Sequence, residues 1–234
     1  MRAFLVAIRA VVTFYNDLFL LVGMSVLWWL TGGIFVAAVV VLGWPMLEIN
    51  GPWWLMPLLA IPAGPATAGL ANVARRSARE LHVNRSFFFD GLRTYWRQAL
   101  ALSAISMGGL SLLLLNLLFY LTRMSGLLQM VAILWLYLII LWMSMQVYLY
   151  PVLVGLEEPS VWAALRTSLV LVLANPLFSI ILVLLAILLT GISIVLAILL
   201  LFAWPALVVL LGEHALKLLV ERAQASKPGQ GTGS

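Results

Sequence analysis

Few side chains in this sequence stand where they could do chemistry together. Glu213-His214 is the closest approach to an acid–base pair. A zinc-hydrolase helix needs a second histidine four residues on, and position 218 is Leu. A lone histidine at a helix end reads as a headgroup or carbonyl contact, and His82, in an arginine-rich segment, reads as solvated. Asn84-Arg85-Ser86 has the form of a glycosylation acceptor, but the segment is expected to face the cytoplasm. The chain has no cysteine, which excludes disulfides, thiolate metal sites and thiol nucleophiles. No glycine-rich phosphate loop is present, so the chain is not expected to drive transport with a nucleotide. The expectation is a protein that is not an enzyme, with no catalytic residues, no cofactor and no metal.

The elements that carry these residues are apolar. The composition is 65% hydrophobic and 9% charged, against about a quarter charged in soluble domains, so the chain must bury its surface in lipid. The fold class expected is all-α: a polytopic membrane bundle of six transmembrane helices, with a broken second span and an amino-terminal interfacial helix. Residues 1–222 form one membrane domain, and the polar, Gly-rich residues 223–234 form a disordered tail. The net charge of +5 implies no nucleic-acid partner, because the basic residues fall in the segments between apolar runs.

Residues 2–16 are expected to lie in the headgroup layer. Arg2, Arg9, Thr13 and Asn16 share one side of the helix, and apolar residues cover the rest. The first span is 18–42, too long for the roughly 7–15-residue apolar region of a cleaved signal. A tryptophan-rich outer loop follows at 43–54. The second span, 55–74, contains Pro57, Pro62 and Pro65 with Gly64 and Gly69, which interrupt the helical ladder. The third and fourth spans are 99–121 and 127–150. The last apolar stretch, 177–211, is 35 residues, or about 52 Å at 1.5 Å per residue, too long for one crossing of a roughly 30 Å core. Division near 190–193 gives the fifth and sixth spans, 169–190 and 192–212.

Six spans place 12 of the 13 basic residues on one side, leaving only Arg123 on the other. Five spans would move Lys217, Arg222 and Lys227 outside. The bias of Lys and Arg toward the cytoplasm therefore favours six, with both termini inside the cytoplasmic (inner) membrane. Arg75, Arg76, Arg79, Arg93, Arg97 and Arg166 are the candidate surface for anionic headgroups of membrane lipids or for a protein partner. Phe89-Asp90-Gly91-Leu92-Arg93-Thr94 and Trp162-Ala163-Ala164-Leu165-Arg166-Thr167 echo one another, each an aromatic followed by Leu-Arg-Thr. Both are expected to be short amphipathic helices, and a duplicated three-helix unit is one reading of the echo.

The apolar core lacks the ionisable groups of ion-coupled carriers. Its polar side chains, Asn72, Asn116, Gln129 and Gln146, read as contacts between helices. The exception is the interrupted second span. Carbonyls freed by its prolines need partners, which makes Pro62, Gly64, Pro65, Thr67, Asn72, Asn116 and Gln146 a candidate pocket.

Pro62-Ala63-Gly64-Pro65-Ala66-Thr67-Ala68-Gly69-Leu70, the basic helix end Ala74-Arg75-Arg76, Glu80, and Phe88-Phe89-Asp90-Gly91-Leu92-Arg93 before Trp96-Arg97-Gln98-Ala99-Leu100 form an ordered set. Over residues 16–104 the chain resembles the YesL-like family of bacterial integral membrane proteins; the remainder matches only in hydropathy. The resemblance implies a helical membrane protein without an established activity, from a family often encoded beside carbohydrate-uptake and carbohydrate-degradation genes. Two functional classes follow. One is an accessory or scaffold subunit bound to a membrane transport complex or to a second copy of itself. The other is a small permease or channel for a neutral solute such as a sugar.

Overall fold

The computed structural model describes residues 2–48, 51–79, 84–195 and 202–225, and no strand occurs among them. Nine α-helices carry the described residues: α1 (Arg2–Asn16), α2 (Leu18–Trp28), α3 (Ile34–Glu48), α4 (Gly64–Ala78), α5 (Ser86–Arg123), α6 (Val131–Gly155), α7 (Val161–Ala174), α8 (Pro176–Val195) and α9 (Trp204–Ala225). A π turn, Trp29–Gly33, joins α2 to α3, and 3-10 segments Trp53–Ala63 and Gly126–Met130 lead into α4 and α6. Among the described residues, five stretches are long and apolar enough to cross a membrane: Leu18–Leu47, Trp53–Ala78, Ser86–Arg123, Gly126–Gly155 and Pro176–Ser193. This is the pattern of a multi-pass membrane protein. The first half of α9 is equally apolar, but Glu213, Lys217, Glu221 and Arg222 fill its second half.

Several boundaries differ from expectation, each for a local reason. The amphipathic segment before the third span is not separate: α5 runs unbroken through it, since no proline lies between Ser86 and Arg123. The fifth span is expected from 169, yet Asn175 ends α7 and Pro176 opens α8, where its missing N–H costs nothing. Division at 190–193 is not seen either, since α8 continues to Val195. Thr190 returns its hydroxyl to the Ala186 carbonyl at 2.8 Å and accepts the Trp204 indole N–H at 2.8 Å, so it ties α8 to α9 without interrupting the helix. Most of the tail, 226–234, and with it Lys227, lies outside the described residues, as do Glu80 and His82.

The 3-10 segment before α4 follows from its prolines. Pro65 has no N–H for the Ile61 carbonyl, and the Gly64 N–H takes that carbonyl instead. From Gly64 onward α4 lies against α5 at a distance only small residues permit. A Cβ on Gly64 would stand 2.6 Å from the Ala99 carbonyl oxygen, and one on Gly91 would stand 2.8 Å from the Asn72 Cβ.

α9 lies at the centre, packed against α1, α2, α4, α6 and α8. Ala206, Leu210, Leu211 and Ala215 are fully or nearly fully enclosed. α1 is not a detached surface helix. Val6, Ala10 and Phe14, one turn apart, are buried toward α9, whereas Phe4, Ile8, Val12 and Tyr15 remain exposed as an apolar outer face.

Candidate functional site

Polar side chains collect where α4 and α6 end beside the second half of α9. Glu213 and His214 follow the last apolar residues of α9 and are only 6% and 8% exposed. Both lie just beyond the last expected span, 192–212. Burial pushes the Glu213 carboxyl up to about 8, against the opposing pull of Arg75 and Arg79. Burial pushes His214 down to about 4, assisted by the positive charges of Lys217 and Arg9. At neutral pH the adjoining pair is therefore largely a neutral acid beside a neutral imidazole. His214 Nε2 lies 3.0 Å from the Thr13 hydroxyl of α1. Glu213 Oε1 is buried with no hydrogen-bond partner.

Arg75 binds the end of α6. Its guanidinium donates to the Val154 carbonyl and, at 3.4 Å, to that of Gly155, meeting the carbonyls that a helix end leaves free. The Ser77 hydroxyl donates to the Asp17 carboxylate at the α1–α2 junction. Lys217 reaches across to the Ala78 carbonyl at 3.5 Å. α1, α2, α4, α6 and α9 are thus joined at one level by polar contacts.

Two cavities flank this layer, and Ala78 and Lys217 line both. The first, about 440 Å³, is bounded by Arg75, Arg79, Glu213, Lys217 and Glu221, with an apolar wall including Val152, Leu156, Leu216 and Val220. The second, about 470 Å³, is bounded by Arg9, Thr13, Asp17, Ser77 and His214. The polar stripe of α1, expected to face the cytoplasm, borders this second cavity through Arg9, Thr13 and Asn16. The groups available are cations, one buried acceptor and an apolar wall, a set suited to recognition.

The candidate lipid surface divides. Arg79, Arg93, Arg97 and Arg166 are exposed, the last at the rim of an apolar crevice of about 540 Å³ that includes Trp142 and Trp162. Arg76 is half-buried over the Phe87 ring at 3.9 Å, and Arg75 is turned inward onto α6. The candidate pocket is not brought together as one site. Thr67 accepts from the Trp28 indole at 3.0 Å and donates to the Ala63 carbonyl at 2.9 Å. Asn72 donates to the Phe87 carbonyl at 2.8 Å, and Asn116 to Leu112 of its own helix at 2.8 Å. Gln146 Nε2 is buried without a partner, Pro62 is exposed, and Gly64 and Pro65 belong to the α4 start. None of the five cavities described touches any of these seven residues.

The sequence reading sets Glu213-His214 aside as a helix-end contact and uses Lys217 only for its charge, whereas the fold gathers all three into the polar layer. A legible signal existed: Glu213, Lys217 and Glu221 recur every four residues and so share one side of α9. Comparison with family models, curated proteins and solved structures gave no match.

Proposed function

We propose that the chain is a non-enzymatic protein of the bacterial cytoplasmic membrane, of the YesL-like kind, serving as an accessory or scaffold subunit of a membrane transport complex. On this reading it has six spans, the sixth ending within the apolar first half of α9, a second span broken at its prolines, α1 at the inner membrane boundary, and both ends in the cytoplasm. On six spans 12 of the 13 basic residues fall on the inner side, which supports that orientation. One observation carries the choice of accessory over permease: the interrupted segment from Pro62 to Gly69 is spent on packing. Its glycine seats α4 on α5, its threonine holds Trp28, and its polar neighbours bond to nearby carbonyls.

Two measurements test the reading. On this cysteine-free chain, Gln230→Cys should be labelled only after the cells are opened, and Asn50→Cys in intact cells; labelling of position 230 from outside refutes the inside carboxyl end. Affinity purification in mild detergent should bring down a stoichiometric membrane partner. Proteoliposomes should show no neutral-sugar flux above empty liposomes. Flux abolished by Pro62→Ala with Pro65→Ala would establish the permease instead.

A further inference from the structure

The first cavity combines features that no packing role requires. Glu213 is more than nine-tenths buried and lines the cavity, and its Oε1 has no hydrogen-bond partner. A buried acceptor left unpaired is costly, so a donor belongs against it. The exposed cations Arg79 and Lys217 stand on two walls of the same cavity. Val152, Leu156, Leu216 and Val220 supply an apolar surface beside them. The volume of about 440 Å³ falls within the roughly 300–1,000 Å³ usual for small-ligand sites.

A ligand matching all three features carries a phosphate for the cations, a hydrogen-bond donor for Glu213 and a hydrocarbon part for the wall. We propose that this cavity binds one phospholipid whose headgroup bears a donor, a hydroxyl or an ammonium, with the phosphate at Arg79 and Lys217 and the donor at the Glu213 carboxyl, which turns to meet it. The proposal rests on the membrane-spanning reading, because the cavity opens where α4 and α6 end, the level of lipid headgroups. It differs from diffuse attraction to a basic surface in one respect: phosphatidylcholine has the same phosphodiester but no headgroup donor, and should be rejected.

The test is native mass spectrometry of the full chain released from nanodiscs of equal parts phosphatidylethanolamine, phosphatidylglycerol and phosphatidylcholine. Wild type should retain one of the donor-bearing lipids over phosphatidylcholine by on the order of tenfold, the worth of one hydrogen bond. Glu213→Ala should reduce the preference to about twofold or less, whereas Glu213→Gln, which keeps an acceptor oxygen, should preserve preference for the hydroxylated headgroup. Lys217→Met, at an exposed site, should reduce retention of all three lipids. Equal retention of the three lipids by wild type overturns the proposal, as does a preference that survives Glu213→Ala. Binding of soluble glycerol 3-phosphate without any lipid preference overturns it too. Failure to find a protein partner leaves this result untouched, so the two readings fail separately.

Discussion

The α4–α5 contact and the second half of α9 solve opposite problems. At the first, an irregular backbone is made regular by small residues: a 3-10 bond takes the Ile61 carbonyl, and glycines bring two helices together with nothing between them. At the second, the backbone is regular and the side chains are not reconciled with burial. Glu213 and His214 lie inside a helical core, two cavities adjoin them, and one carboxyl oxygen has no donor. Backbone irregularity is healed by small residues that let helices close up, whereas buried polar side chains need partners from distant elements. Thr13 and His214 are 201 positions apart.

Mutation should separate the two regions. The largest effect belongs to Gly64→Val, whose Cβ would meet the Ala99 backbone at 2.6 Å, an atom that cannot swing aside. A loss of about 3 kcal/mol is expected, seen as a fall in the thermal midpoint in detergent. Gly108→Val, where a Cβ meets nothing within 4 Å, should leave the midpoint nearly unchanged. Equal losses would mean that the dry contact is not the source of rigidity.

Arg75→Met should cost less, about 1–3 kcal/mol, because it strips donors from the carbonyls ending α6. Arg97→Met, at an exposed position, should change the midpoint by no more than about 0.5 kcal/mol. If both changes behave alike, Arg75 belongs with the surface arginines and not with the polar layer.

The smallest effect is a dependence on pH. The folded state holds the Glu213 proton more tightly than an unfolded chain does, so stability is full below 4.5 and declines as pH rises toward about 8. His214 acts in the opposite sense: its contribution is present above 6.5 and lost as pH falls toward about 4. Between about pH 7.5 and 9, of these two groups only Glu213 titrates appreciably. The wild-type midpoint should fall across that window, and that of Glu213→Gln should stay level. A parallel slope in both proteins would show that Glu213 is not the titrating group.

Much of the helical architecture is readable in the amino acids, since uncharged runs of this length have few other solutions. The ends of the helices are less so. Asn175-Pro176 marks a break that hydropathy passes over, because both flanks are equally apolar. Thr190 looks like a boundary and is not, because its hydroxyl is satisfied by Ala186 and Trp204. The polar layer is legible in pieces: the Arg9, Thr13 and Asn16 stripe and the four-residue spacing of Glu213, Lys217 and Glu221 each define a face. What faces what is absent from local pattern, so Arg75, one of six similar arginines, gives no sign that it alone caps a neighbouring helix.

The central position of α9 has a consequence for biogenesis. Ribosomes deliver α9 after every helix that packs around it, so α1, α2, α4 and α6 enter the bilayer before their shared core exists. Until then Thr13 and the Val147 carbonyl region lack the surface they later meet, and the nascent bundle holds an open seam in lipid. During that interval the insertion machinery must shelter the seam, and proteases that survey the membrane have their opportunity.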